Sequence, residues 1–200
     1  MNNIFKKISV VVLALLVQGC ASNLMKTSDV GVVETPDSDT ATIVFMRSSF
    51  VASAIGVELF EIDNGEIKFV GALPNGSKIA HKTTPGKKVY MAYGTAADFM
   101  IANVEGHKTY YAIVRPNWGT GGFAPTPVRS DGSTDYNMQT DDFSTWQKET
   151  ALLEKKDGAD KWFAKNKPKY LEIYNDYWAR FQTKTESQKR ERTIQLSDGV

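Results

Sequence analysis

The sequence predicts a mainly β protein with α-helix at its C-terminal end: an antiparallel β-sandwich of about seven strands, then two or three helices. Three observations predict it. Short apolar or alternating runs between residues 41 and 115 are separated by turn residues at intervals of about 8–15, the spacing of sandwiches and small barrels. No stretch of helical periodicity lies among them, which argues against βαβ units. Near the end, aromatic residues recur at helical spacing from Tyr170 to Phe181.

Taken in order, the β elements begin at Ala41 to Val51, where Ile43-Val44-Phe45-Met46 has the composition of a buried strand and ends on Arg47. Ile55 to Ile62 alternates and runs into Asp63-Asn64-Gly65, which supplies the positive-φ positions of a tight hairpin. Ile67 to Leu73 returns as its partner. Pro74-Asn75-Gly76 and Thr84-Pro85-Gly86 bracket a third strand, Ser77 to Thr83. Val89 to Gly94, Asp98 to Val104 and Thr109 to Val114 follow, the last two joined through Glu105-Gly106-His107. The sandwich is thereby assigned to 41–130, with Pro125 and Pro127 flanking a possible edge segment.

The helical segment is assigned to 141–192. Asp141 and Asp142 read as first-turn acids that complement a helix dipole. Phe143, Trp146, Thr150 and Leu153 continue the helical spacing up to a break at Asp157-Gly158, and Pro168 reads as a first-turn residue of a final helix. In that helix Tyr170, Ile173, Tyr174, Tyr177, Trp178 and Phe181 form one face. The face either packs on the β domain or serves a partner, in which case Tyr170, Tyr174, Tyr177, Trp178 and Phe181 are its contact residues. Charged Lys184 to Arg192 reads as a solvated end that frays into the tail.

The first twenty residues concern location. Lys6 and Lys7 precede an apolar run, Ile8 to Val17, too short to span a bilayer as a helix. It has the form of a secretory signal. Its end, Leu16-Val17-Gln18-Gly19-Cys20, resembles the lipobox of bacterial lipoproteins. That resemblance implies cleavage after residue 19 and lipid on Cys20, the sole cysteine of the chain. It also implies, since Ala21 and Ser22 follow where Asp would signal retention, delivery to the outer membrane with the periplasmic face as default. Residues 20–40, polar and carrying Pro36-Asp37-Ser38-Asp39, read as a lipidated tether spanning roughly 25 Å.

A second resemblance rests on four elements in order: Val44-Phe45-Met46-Arg47, Gly71-Ala72-Leu73-Pro74-Asn75-Gly76, Pro85-Gly86, and Gly106-His107-Lys108-Thr109-Tyr110-Tyr111. The chain is similar here to a group of bacterial lipoproteins of unknown function that share a short β-sandwich domain. That group implies the fold and supplies no catalytic residue.

Little chemistry is announced. Without its first 19 residues the chain carries 22 basic and 23 acidic residues, a balance that argues against nucleic acid as a partner. The two histidines, His81 and His107, lie in no metal-ligand spacing, and no metal or cofactor other than the lipid on Cys20 is expected. No Gly-x-Ser-x-Gly elbow occurs, and Gly119 to Gly122 lack the Lys-Ser/Thr of a phosphate loop. Arg47 is expected to pair with Glu58 or Glu61, or to reach the sheet edge. Trp118 and Phe123, around a Gly-rich loop, belong either to an ordinary connector or to a ligand-contacting surface. The leading expectation is a non-catalytic, lipid-anchored envelope protein with an envelope protein as partner. A glycan- or peptidoglycan-binding module is the alternative. An envelope hydrolase is the third, and needs His81 or His107 beside an acid in a cleft.

Overall fold

The computed structural model describes residues 22–200. The signal segment and Cys20 lie outside the described residues. Two sheets pack face to face. The first holds six strands in the order β1 (Met25–Thr27), β10 (Ala151–Lys155), β5 (Ser77–Thr83), β2 (Ala41–Arg47), β8 (Thr109–Asn117) and β9 (Gly122–Pro127). The second holds β11 (Thr193–Ile194), β7 (Ala97–Val104), β6 (Gly86–Tyr93), β3 (Val57–Asp63) and β4 (Glu66–Leu73). Helix α1 (Asp141–Glu149) covers the outer face of the six-stranded sheet, and α2 (Ala159–Gln182) crosses the outer face of the other. A short α3 (Glu186–Glu191) follows.

The fold is thus mainly β with a C-terminal helical region. It is not purely antiparallel: β2 pairs with β8, β10 with β5 and β11 with β7 in parallel. The reason lies in the turns. Asn64 and Gly65 take positive φ and close β3 onto β4, with Asp63 opposite Glu66, as the Asp-Asn-Gly turn predicts. Pro74-Asn75-Gly76 and Thr84-Pro85 instead carry the chain from one sheet to the other, so strands adjacent in sequence are not neighbours in a sheet. All seven residues of β2 are buried because it is covered on both faces, which is why its sequence runs apolar without alternation. Phe45 on one sheet meets Tyr90 on the other at 5.1 Å between ring centroids. Pro125 and Pro127 lie in β9 at the edge of its sheet, where a missing N–H costs no ladder bond.

The C-terminal segment departs furthest from its expectation. Helix α1 ends at Glu149, and Leu153 belongs to β10, not to a continuing helix. Pro168 sits inside the 24-residue α2 and does not begin a helix. Nor does the tail fray. The chain after α3 adds β11 to the second sheet, Arg192 reaches buried Asp98 at 3.1 Å, and Asp198 pairs with buried Arg129 at 2.7 Å. Val200 and Thr109 exchange backbone hydrogen bonds. The expected tether is also partly built in. Leu24 and Met25 are buried, β1 pairs with β10, and Pro36 is buried, so the body of the protein begins at residue 24.

Candidate functional site: an aromatic loop end

Strand directions put four connections at one end of the sandwich: 48–56, 74–76, 94–96 and 118–121. Two large apolar side chains project there. Phe50 is 99% exposed and Trp118 79%, with half-exposed Val51 beside Phe50. Isolated exposed apolar residues are ordinary on protein surfaces. Two rings on neighbouring loops at one end, above a fixed frame, form a candidate contact surface.

The frame is Arg47, the last residue of β2, which is fully buried. Its guanidinium donates to the carbonyls of Ile55, Ala52 and Leu73, and lies 4.5 Å from the centroid of the Phe123 ring. The expected partners Glu58 and Glu61 are not involved, and Arg47 pairs with no carboxylate among the described residues. The three carbonyls share the charge-assisted hydrogen bonding, and burial pulls the guanidinium down to about 10. Two of the carbonyls belong to the loop that carries Phe50, so Arg47 ties that loop to the end of β4. Ala52 takes a positive φ within it.

The neighbouring loops are equally close-fitted. A side chain at Gly122 would run into the Ala96 carbonyl, and one at Gly94 into the Phe123 ring. Thr95 donates to the Gly121 carbonyl. The sequence treats Trp118 and Phe123 alike; the structure does not. Phe123 is 2% exposed, packed beneath Arg47, and offers nothing to a ligand, whereas Trp118 is open. Phe50, absent from the sequence expectations, was legible only as an aromatic among Ser48, Ser49 and small residues.

The aromatic face of α2 is mostly a seam within the molecule. Tyr170 lies tilted against Phe60 with ring centroids 4.5 Å apart, and Phe99 receives Tyr174, Trp178 and Phe181 at 5.0–6.0 Å. Tyr170 and Phe181 are buried and present no face to a partner. Tyr174, Tyr177 and Trp178 are half-buried. Trp178 borders an open cleft of about 540 Å³ that Lys87, Arg190 and Gln195 also line. Opposite Tyr93 on the neighbouring strand is Glu58, whose carboxyl burial pushes up to about 7 against the weaker opposing pull of Lys169.

The two histidines are far from equivalent. His107 is in the β7–β8 connection with positive φ. His81, on β5, points between the sheets, where its Nε2 lies 2.9 Å from Glu61 Oε2. The Tyr90 hydroxyl donates to the same oxygen at 2.8 Å. Burial alone would push the Glu61 carboxyl up, but hydrogen bonds from His81, Thr83 and Tyr90 and the charge of His81 outweigh it and hold it at about 2. His81 on β5 of one sheet is thus joined to Glu61 on β3 and Tyr90 on β6 of the other, and the cluster braces the two sheets. Among the described residues no group of three His, Cys, Asp or Glu is placed to hold a metal ion. No helix there is long and apolar enough to cross a membrane. No protein-family model matches the chain, and no curated protein matches it.

Proposed function

We propose that this is a lipid-anchored protein of the bacterial outer membrane, held through Cys20 on the periplasmic face, with a non-catalytic binding role towards another envelope component. The membrane part of this reading rests on the lipobox-like Leu16 to Cys20. The binding part rests on one observation, the pair of exposed rings Phe50 and Trp118 at one end of the sheets, the first on a loop that Arg47 ties down. That end also lies away from the anchor. Met25 stands opposite Lys155, four residues along β10 from Ala151, which pairs with Ser77 at the aromatic end, so the chain joins the body roughly 13 Å along the strands from that end. A protein tethered at one end and aromatic at the other can meet a partner across the periplasmic space. Exposed Trp118 keeps a second reading in view, in which a glycan of the cell wall stacks on the ring.

Crosslinking in intact cells tests both. The wild type is compared with Phe50→Ser/Trp118→Ser, whose changes are exposed and leave the core alone. A specific envelope protein captured by the wild type and lost in the variant supports the protein-partner reading. Retention of isolated peptidoglycan by the wild type alone supports the glycan reading. Identical behaviour of both proteins in both assays refutes the aromatic end as a binding surface.

A further inference from the structure

The point where the chain joins its body lies in a basic island. Leu24 is buried and its carbonyl accepts a hydrogen bond from the Lys156 N–H at 2.9 Å. Only Ala21, Ser22 and Asn23 separate it from Cys20, so the two residues can be at most about 14 Å apart. A lipid on Cys20 would therefore hold the body against the bilayer and not at the end of a long tether.

Residues 155–169 carry six lysines against two aspartates. The remainder of the chain from residue 20 carries 16 basic and 21 acidic residues, so this segment is a positive island on an otherwise acidic molecule. Several cations nearby are already engaged. Lys26 pairs with Asp29 and Glu154, Lys155 with Asp160 at 2.6 Å, and Lys167 stands 3.6 Å from Glu66. Lys169 lies over the rings of Tyr93 and Tyr170. Lys156, Lys161 and Lys165 are exposed and form no ion pair among the described residues. Lys156 adjoins Leu24, and the other two lie one turn apart on the outer side of α2, four residues from one another.

We propose that Lys156, Lys161 and Lys165 form a membrane-apposed surface that binds the headgroups of anionic phospholipids and sets the orientation of the body on the bilayer. The proposal rests on the reading of Cys20 as lipidated. Two signals, a lipid chain and a basic patch, together give firmer attachment than either alone. The short connection brings the lysines within reach of a surface potential that decays over a Debye length of about 8–10 Å.

The test uses the mature protein purified from membranes and placed in vesicles of phosphatidylcholine, with or without phosphatidylglycerol. Lysine acetylation by a water-soluble reagent is followed residue by residue by mass spectrometry. Expected is a slowing of about fivefold at Lys156, Lys161 and Lys165 in the anionic vesicles only, reversed by high salt, the scale of one lysine at an anionic surface. Lys148 on α1, beyond the opposite sheet, is expected to react alike in both. Equal rates at the three lysines in the two vesicle types would overturn the proposal. The mass of the Cys20 peptide from the same preparation reports the anchor separately. If that peptide is unmodified the anchor reading fails, and the surface is then judged by flotation of the protein with anionic vesicles. Loss of flotation in K156Q/K161Q/K165Q supports it, and equal flotation overturns it.

Discussion

Arg47→Met removes a buried charge and keeps an apolar side chain of similar reach over Phe123. The guanidinium makes three hydrogen bonds to carbonyls, of Ile55, Ala52 and Leu73. Charged hydrogen bonds are worth about 1.5–3 kcal/mol each, so roughly 4–9 kcal/mol of interaction is lost. Against this stands the cost of burying the charge. A guanidinium lowered to about 10 from 12.5 carries a penalty on the order of 3 kcal/mol, which the methionine does not incur. The difference, centred near 3 kcal/mol, is the expected loss in stability, measured by urea unfolding. The loss should also be local. Two of the three carbonyls lie in the 48–56 loop, so amide exchange there is expected to rise first, while β2 and β8 stay protected. Arg47→Lys, which keeps the charge but loses the fork, should behave nearly as badly. A methionine variant within about 0.5 kcal/mol of wild type, with unaltered exchange in the loop, would refute the clamp.

Two further changes probe the rest of the core. Glu58 in the folded protein holds its proton up to about pH 7, against 4.5 when unfolded, so the stability it allows is complete below pH 4.5 and is lost as pH rises through 7. Glu58→Gln is therefore expected to match wild type at pH 4 and exceed it by about 1–3 kcal/mol at pH 8; parallel unfolding curves across that range would contradict this. Asp198→Ala strips the carboxylate from buried Arg129, which keeps only the carbonyls of Thr193 and Arg190. A loss of about 3 kcal/mol in urea unfolding is expected, and a change confined to the last few residues would show the pair to be incidental.

Much of this fold is written locally. The Asp63-Asn64-Gly65 hairpin, the buried composition of β2 and the aromatic face of α2 each follow from a few adjacent residues and appear where their chemistry requires. What escapes a reading of the sequence is set by partners far along the chain. Ala151 to Lys155 continues the helical spacing of Phe143 and Trp146, yet the free edge of β5 takes it as a strand, 74 residues from its partner. The Pro-Asn-Gly and Pro-Gly turns carry the chemistry of hairpins, and only the two-sheet packing makes them crossings. Arg47 looks like half of an ion pair because a buried charge is normally paired; here carbonyls of its own loop take the carboxylate's place. At the aromatic end, sequence distinguishes neither Trp118 from Phe123 nor Phe50 from its small neighbours. Exposure depends on which strand the loop leaves and what already fills the space beneath it.

The closure of both sheets by late residues governs when this protein can fold. Strand β1 has no partner until β10 is available, and β7 has no outer neighbour until residues 193–194 are free. The charges of Asp98 and Arg129 stay unmatched until residues 192 and 198 arrive. A chain emerging from its N-terminus, from a ribosome or through a membrane channel, can form hairpins but no finished sandwich until almost all of it has been released. Such late commitment keeps a polypeptide threadable, and the same contacts that complete the native core are the ones that postpone it.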